Sequence, residues 1–342
     1  MKTLPHASKT VLYYVTKRIV IYIISVYAAL TINFFLFRMI PVDPLSMHFQ
    51  MIQQRYGYTV PETDQIVEHY KKIFGYDKDL FTQYINYMRE LFLHGNMGVS
   101  FLAFPKESQA LIMQALPWSI GLLGVATIIS WSLGIILGTL VGWWRERKIS
   151  STIYSVALCL CHLPYYYLAI ILVLFFGYIW SILPPSRAYS PHLTPSLTLE
   201  FIWDLIVHAI LPSLSIILIS SLGWLISTRA LVITILGDDF LTFAHAKGLR
   251  KIRILNRYVL RNILLPQTTG LGMSLGFVFS GSFLVEWIFK YPGVGELFSR
   301  AIGSLDYNTA VGIVSISTVT VLTANLIIDL LYPFIDPRVR YG

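Results

Sequence analysis

Residues able to do bond chemistry are sparse in this chain, and they do not converge. No Gly-x-x-x-x-Gly-Lys-[Ser/Thr] phosphate loop occurs, so the chain does not bind ATP in that way. There is no His-Glu-x-x-His element and no His/Cys set with metal-ligand spacing. Cys159 and Cys161 share one apolar run. On a helix they point about 200° apart, which suits neither a disulfide nor a metal, and they read as small buried hydrophobes. His162 and His208 are isolated near helix ends, and read as hydrogen-bonded interfacial histidines rather than ligands or bases.

Charge inside the apolar segments separates transport mechanisms, because pumps and proton-coupled carriers need ionisable groups near the bilayer midplane. No Asp, Glu, Lys or Arg occurs between Arg18 and Arg38, from Pro117 to Trp144, or from Ile153 until Arg187. Asp204, Arg229, Glu286 and Asp329 fall at or near the ends of apolar runs. A midplane proton relay is hard to build from such a chain, so energy for pumping has to come from elsewhere.

One stretch breaks the apolar pattern. Asp238-Asp239-Phe-Leu-Thr-Phe-Ala244-His245-Ala246-Lys247-Gly248-Leu249-Arg250-Lys251 lies between two apolar runs, and basic residues continue through Arg253, Arg257 and Arg261 to Leu265-Pro266. Phe240 to Lys247 suits a short helix, with Phe240, Phe243 and Ala244 able to share a face and Ala246 and Gly248 beside a tight end. Small residues there let another protein approach the backbone, and the following Lys and Arg suit its acidic rim or lipid phosphate. If the helix ends at Gly248 with positive φ, a branched residue at that position is strained. Snorkelling juxtamembrane charge is the other reading of the same composition.

The elements that must hold this stretch are membrane spans. The chain has 342 residues, 55% of them hydrophobic and only 13% charged, against roughly 25% charged in soluble domains. A span needs roughly 20 apolar residues, which predicts six helices at about 18–40, 117–143, 152–183, 205–229, 263–286 and 309–335. The run from Ile19 to Phe37 is too long for the apolar region of a signal peptide and reads as an uncleaved first span. With Lys17-Arg18 inside, Arg145, Arg147, Lys148, the 247–261 tract and the Asp336-Pro337-Arg338-Val339-Arg340 tail all fall on the cytoplasmic side, as the positive-inside bias requires. The net charge of +8 is therefore explained by topology rather than by nucleic acid. The organisation that follows is a cytoplasmic N-terminus and first span (1–40), an extracytoplasmic insertion (41–116), a core of five further spans (117–335) with the loop 238–262, and a cytoplasmic tail (336–342).

The insertion carries six Lys/Arg and eight Asp/Glu, and two helices are predicted in it. Ile66, Val67, Tyr70, Ile73 and Phe74 repeat as one helical face, with Gly75 at the expected stop. Phe81, Tyr84, Ile85, Met88, Leu91 and Phe92 form another, started by Asp77 or Asp79 and stopped near Gly95. In the spans, Gly134, Gly138 and Gly142 form one small stripe, and Gly272, Gly276 and Ser280 a second. Such stripes let helices approach closely in lipid, or line a pathway.

Taken in order, the motifs resemble the membrane permeases of dipeptide/oligopeptide-type ABC importers, specifically the first of the two paired permeases. Arg38-Met-Ile-Pro41-Val42-Asp43-Pro44 is similar to that family's Arg-x-x-Pro-Gly-Asp-Pro, with Val42 in place of glycine. His94-Gly95-Asn96-Met97-Gly98-Val99-Ser100 resembles its Gly-Asp-x-Gly-x-Ser, with Asn96 in place of aspartate. His208-Ala-Ile-Leu211-Pro212, Ala244-His245-Ala246-Lys247-Gly248-Leu249, Glu286 with Pro292-Gly293-Val294-Gly295, Asp306-Tyr307 and Asp336-Pro337-Arg338 follow in sequence. Thr242 stands where the wider superfamily has a coupling-loop glutamate.

The resemblance implies an all-α polytopic protein with the type I ABC importer permease fold. It also implies alternating access without bond chemistry, in the cell (inner) membrane, with both termini cytoplasmic. The implied partners are a second homologous permease, cytoplasmic ATPases that carry the ATP and Mg²⁺, an extracytoplasmic solute-binding protein and the bilayer. No cofactor, metal or nucleic acid is implied for this chain itself. Phe243, Ala244, Ala246, Lys247, Gly248 and Leu249 are the expected ATPase-coupling residues; the substrate pathway is not assigned. Di- and oligopeptides lead as solutes, with oligosaccharides or nickel as family alternatives. A secondary carrier or channel is the reading from another class.

Overall fold

The structure is a computed structural model that describes residues 5–335, apart from 41, 42, 44, 48, 49, 51, 52, 55–62 and 74. The basic tail at 336–340, Lys2, Phe74 and the prolines of the Pro41-to-Pro44 segment lie outside the described residues. Within the described residues the regular structure is all helical, with irregular backbone at 180–198, one isolated bridge between Val99 and Glu107 and no strand.

Four helices have the length and apolarity to cross a bilayer: Tyr13–Arg38 within α1 (Pro5–Arg38), α4 (Ser108–Trp143), α7 (Leu199–Leu236), and Tyr307–Leu331 within α13 (Tyr307–Ile335). The two remaining expectations need correction as straight spans. The segment expected at 152–183 is α5 (Lys148–Leu160) followed by α6 (Tyr165–Leu172) and a π-helical continuation to Ile179, bent by 93°. Pro164 explains the break: it precedes α6 with ψ 131°, and a proline disfavours helical backbone at the residue before it. The segment expected at 263–286 is α10 (Leu260–Val278), which stops before α11 (Phe283–Ile288). Gly281 lies between them at φ +70°. Arg261, Asn262, Gln267, Thr268 and Thr269 keep α10 below the apolarity of the other four.

By contacts the chain divides into two compact units, one from residues 1–119, 279–283 and 292–323, the other from 120–278, 284–291 and 324–342. In the first, α2 (Thr63–Ile73) and α3 (Leu80–His94) belong to the insertion. Asp79 starts α3, its carboxylate accepting from the Thr82 N–H at 3.0 Å, and Gly95 ends it at φ +65°. The apolar face expected on α3 is split. Tyr84 and Met88 pack on Val26, Leu30 and Phe34 of α1, whereas Phe81, Ile85 and Phe92 stay exposed. The covered side also meets the last long helix, where the Tyr87 hydroxyl lies 3.1 Å from that of Ser315. Tyr84 also bonds Tyr27 and Thr31, each at 2.9 Å. A second cluster joins Ile112, Ala115 and Leu116 of α4 to Val294 and Leu297 of α12 (Val294–Gly303) and Ile313 of α13.

In the second unit the first glycine stripe is a helix contact. A Cβ added at Gly134, Gly138 or Gly142 would lie 2.2, 2.6 or 2.8 Å from Trp224, Leu225 or Val232 of α7. Those separations leave no room for a side chain, so α4 and α7 touch through backbone. Gly272 differs, since its added Cβ would sit at an ordinary 3.4 Å from Ile328.

Candidate functional site

The basic stretch folds as α8 (Asp239–Ala246), followed by the short α9 (Lys251–Ile254) and π-helical turns from Leu255 to Val259 that run into α10. Asp238 precedes α8 in extended backbone and makes no side-chain cap. The far end is capped instead. The Leu249 N–H donates to the Ala244 carbonyl at 3.3 Å and the Gly248 N–H to the His245 carbonyl at 2.9 Å. That pair of bonds requires a left-handed residue just past the helix, and Gly248 supplies it at φ +69° with nothing within 4 Å of a Cβ built there. The Ala-His-Ala-Lys-Gly-Leu run is thus a helix stop written residue by residue.

Burial sorts the expected coupling residues into two groups. Ala244 is 3% exposed and joins Leu241, Val232, Ile254, Leu255, Val259 and Ile263 in one cluster, with Leu249 and Trp143 packed against it. Phe243 is 69% exposed, Phe240 is exposed, and so are Ala246, Lys247 and Gly248. The shared face expected for Phe240, Phe243 and Ala244 is therefore not formed: Leu241 and Ala244 point into the chain, and the two phenylalanines point away. Ala244 and Leu249 anchor the turn, which leaves Phe243, Ala246, Lys247 and Gly248 as its outer surface.

The same division continues downstream. Ile254, Leu255, Val259 and Ile263 are buried while Lys251, Arg253, Arg257 and Arg261 are exposed. These four, with Lys247 and Arg250, make no ion pair among the described residues. Unpaired exposed cations on a packed scaffold suit an acidic protein rim or a phosphate-bearing surface.

No His, Cys, Asp and Glu grouping able to hold a metal is present among the described residues. Cys159 and Cys161 are both free thiols, and Cys159 is exposed rather than buried, correcting that expectation for it. His208 donates its Nδ1–H to the Asp204 carbonyl at 2.8 Å, the hydrogen-bonded role expected of it. Gly272-Met273-Ser274-Leu275-Gly276 has the Gly-x-Ser-x-Gly spacing. It lies inside α10 with no strand before it, so the strained strand-to-helix turn that exposes a nucleophile is missing.

A polar cluster in the first unit was missed as a cluster, although its segments were noted singly. The Asp306 carboxylate accepts from the Ser100 and Thr309 hydroxyls and from the Leu102 and Thr309 N–H groups. The Asn308 amide donates to the Val99 carbonyl at 3.0 Å. Thus the His94-to-Ser100 segment and the Asp306-Tyr307 segment, remote in sequence, form one clasp. Nearby, burial raises the Asp43 carboxyl, but Lys71 at 2.5 Å and hydrogen bonds from Ser46 outweigh it and hold the group below its ordinary range. Burial pushes the Tyr76 phenol up to about 12 despite the Arg38 guanidinium 4.0 Å above its ring.

These features define a class: a polytopic helical membrane protein that presents a rigidly capped, basic surface loop. The profile of the binding-protein-dependent transport system inner membrane component matches residues 134–341, and the chain belongs to that family. It is 28% identical over 329 residues to the oligopeptide transport system permease protein AppB of Bacillus subtilis, covering 96% of this chain and 99% of that one. It is likewise 28% identical over 344 residues to the dipeptide transport system permease protein DppB of Escherichia coli, covering 93% and 96%. A putative peptide transport system permease protein of Brucella abortus is 30% identical over 313 residues, covering 91% and 93%.

Proposed function

We propose that this permease forms half of the translocation pathway of an ATP-driven importer of di- and oligopeptides. It pairs with a second homologous permease, receives solute from an extracytoplasmic binding protein, and is driven by cytoplasmic ATPases that hold the ATP and Mg²⁺. The chain itself binds no cofactor. The observation that carries this reading is the capped helix Asp239–Ala246, which is anchored from inside by Ala244 and Leu249 and leaves Phe243, Ala246, Lys247 and Gly248 uncovered.

A rigid lever of this kind transmits force. Phe243 offers an aromatic knob to a groove on the ATPase, the small Ala246 and Gly248 admit close approach, and the basic row that follows pairs with an acidic rim. Because Leu241 and Ala244 are packed against Val232 of α7 and Ile263 of α10, displacement of the loop is carried directly into two helices of the core. The peptide class is supported by the names of the relatives, which cover nearly the whole chain.

Reconstitution of the four components in proteoliposomes tests the reading. Peptide uptake that requires ATP inside and binding protein outside is the expected result. Uptake of a neutral oligosaccharide in place of peptides would move the solute assignment, and flux without ATP would replace the importer with a carrier or channel.

A further inference from the structure

Arg38 closes α1 with its guanidinium between two aromatic rings, 5.5 Å from the Phe34 centroid and 4.0 Å from that of Tyr76. It makes no ion pair among the described residues. The acids of this region are engaged elsewhere, Asp306 by Ser100, Leu102 and Thr309. Asp43 is held by Lys71 and Ser46, and Glu90 by His94 at 3.1 Å and Arg89 at 3.4 Å. Two cavities, of about 300 and 170 Å³, are each lined by Arg38 and Gln83. The Gln83 amide nitrogen donates to the Lys78 carbonyl at 2.7 Å, but its carbonyl oxygen is buried without any partner. The smaller cavity is finished by further carboxamides, Asn86, Asn96 and Asn308.

A partly buried cation lacking an anion and a buried acceptor lacking a donor are both costly when left unmet. On the walls of the same cavities, they are met together by a ligand that brings a carboxylate and an N–H. The last residue of a peptide has both on one carbon, whereas an Asp or Glu side chain separates its carboxylate from the backbone N–H by one or two more. A neutral oligosaccharide has neither group.

We propose that Arg38 and Gln83 form a subsite for the C-terminal end of a peptide solute, the guanidinium holding the free carboxylate and the Gln83 carboxamide turning into the cavity so that its carbonyl accepts the last amide N–H. This rests on the peptide reading above and makes the permease, not only its binding protein, selective for a free C-terminus.

The test uses the complete transporter in proteoliposomes, with a tripeptide, its C-terminal amide, and its analogue N-methylated at the last amide, each saturating the binding protein. Wild type should import the free acid faster than the amide. Arg38→Gln should lower free-acid uptake by roughly tenfold, the scale of a lost charge-assisted contact, and leave amide uptake within about twofold, while Arg38→Lys retains part of the preference. Gln83→Leu should erase the distinction between the tripeptide and its N-methyl analogue. Each ratio is internal to one preparation, so loss of folded transporter cancels. Equal proportional losses for acid and amide in Arg38→Gln would overturn the subsite and point to a binding-protein acid or a purely structural arginine. Peptide import with unchanged ratios overturns the subsite alone; failure of wild type to import any peptide overturns the peptide reading with it.

Discussion

At Gly248 a backbone requirement and a surface requirement coincide, because the residue that closes α8 in left-handed geometry also belongs to the exposed face. Forcing a branched side chain into that conformation costs about 1–3 kcal/mol, whereas asparagine tolerates it. Gly248→Val should therefore reach the membrane yet lose most peptide-stimulated ATP hydrolysis, and Gly248→Asn should keep most of it. Wild-type coupling in the valine variant would remove the assignment. Asp43 supports a second residue-scale expectation. Its carboxyl is held below its ordinary range, so the Lys71 contact stabilises the fold at all pH values above the unfolded carboxylate pKa of about 3.9. That contribution is lost as pH falls through the lower folded value. Thermal melts of the purified protein should show Asp43→Asn less stable than wild type at pH 7, with the gap closing below about pH 4.

Between elements, the contact of α4 on α7 turns on hydrogen in place of a methyl group. A Cβ at Gly138 would lie 2.6 Å from the Leu225 carbonyl oxygen, while one at Gly124 of the same helix meets nothing within 4 Å. Gly138→Ala should destabilise by roughly 1–3 kcal/mol through overpacking. Gly124→Ala should be neutral or stabilising by up to about 1 kcal/mol in the isolated chain. The fraction remaining monodisperse after heating measures both, and equal behaviour of the two would show that the stripe is not a tight contact. The stops of α3 and α8 were readable beforehand because a cap is local: Gly95 and Gly248 need only their own turn. Which side of α8 faces inward was not readable. Phe240, Leu241, Phe243 and Ala244 place apolar groups on more than one face of an eight-residue helix, and the position of α7 and α10 selects Leu241 and Ala244.

For the molecule as a whole, the proposed orientation, with the basic loops cytoplasmic, rests on basic residues gathered in alternate loops. A single cysteine placed at Lys247, in a background with Cys159 and Cys161 replaced by serine, should react with a membrane-impermeant maleimide only from the cytoplasmic side. Labelling from outside would invert the topology and remove the loop from any ATPase. The departures from six straight spans also belong here. Apolarity predicts the third as one span over 152–183, with no break read at Pro164; the 93° bend there depends on what α5 and α6 pack against. Composition over 263–286 did not reveal that the helix stops at Val278 and restarts at Phe283, since both pieces are apolar and the turn between them is short.

Sequence alone determined the class, the helical content, four of the six spans, the basic loop and its glycine stop, because each depends on composition or on neighbours within one turn. Only the tertiary structure decided that Ala244 is an anchor and Phe243 a surface. The same holds for the closing of Asp306 on Ser100 and for Arg38 and Gln83 sharing two cavities with groups unmet. Those are contacts between residues tens to hundreds of positions apart, and a linear pattern carries no distance between them until the helices are packed.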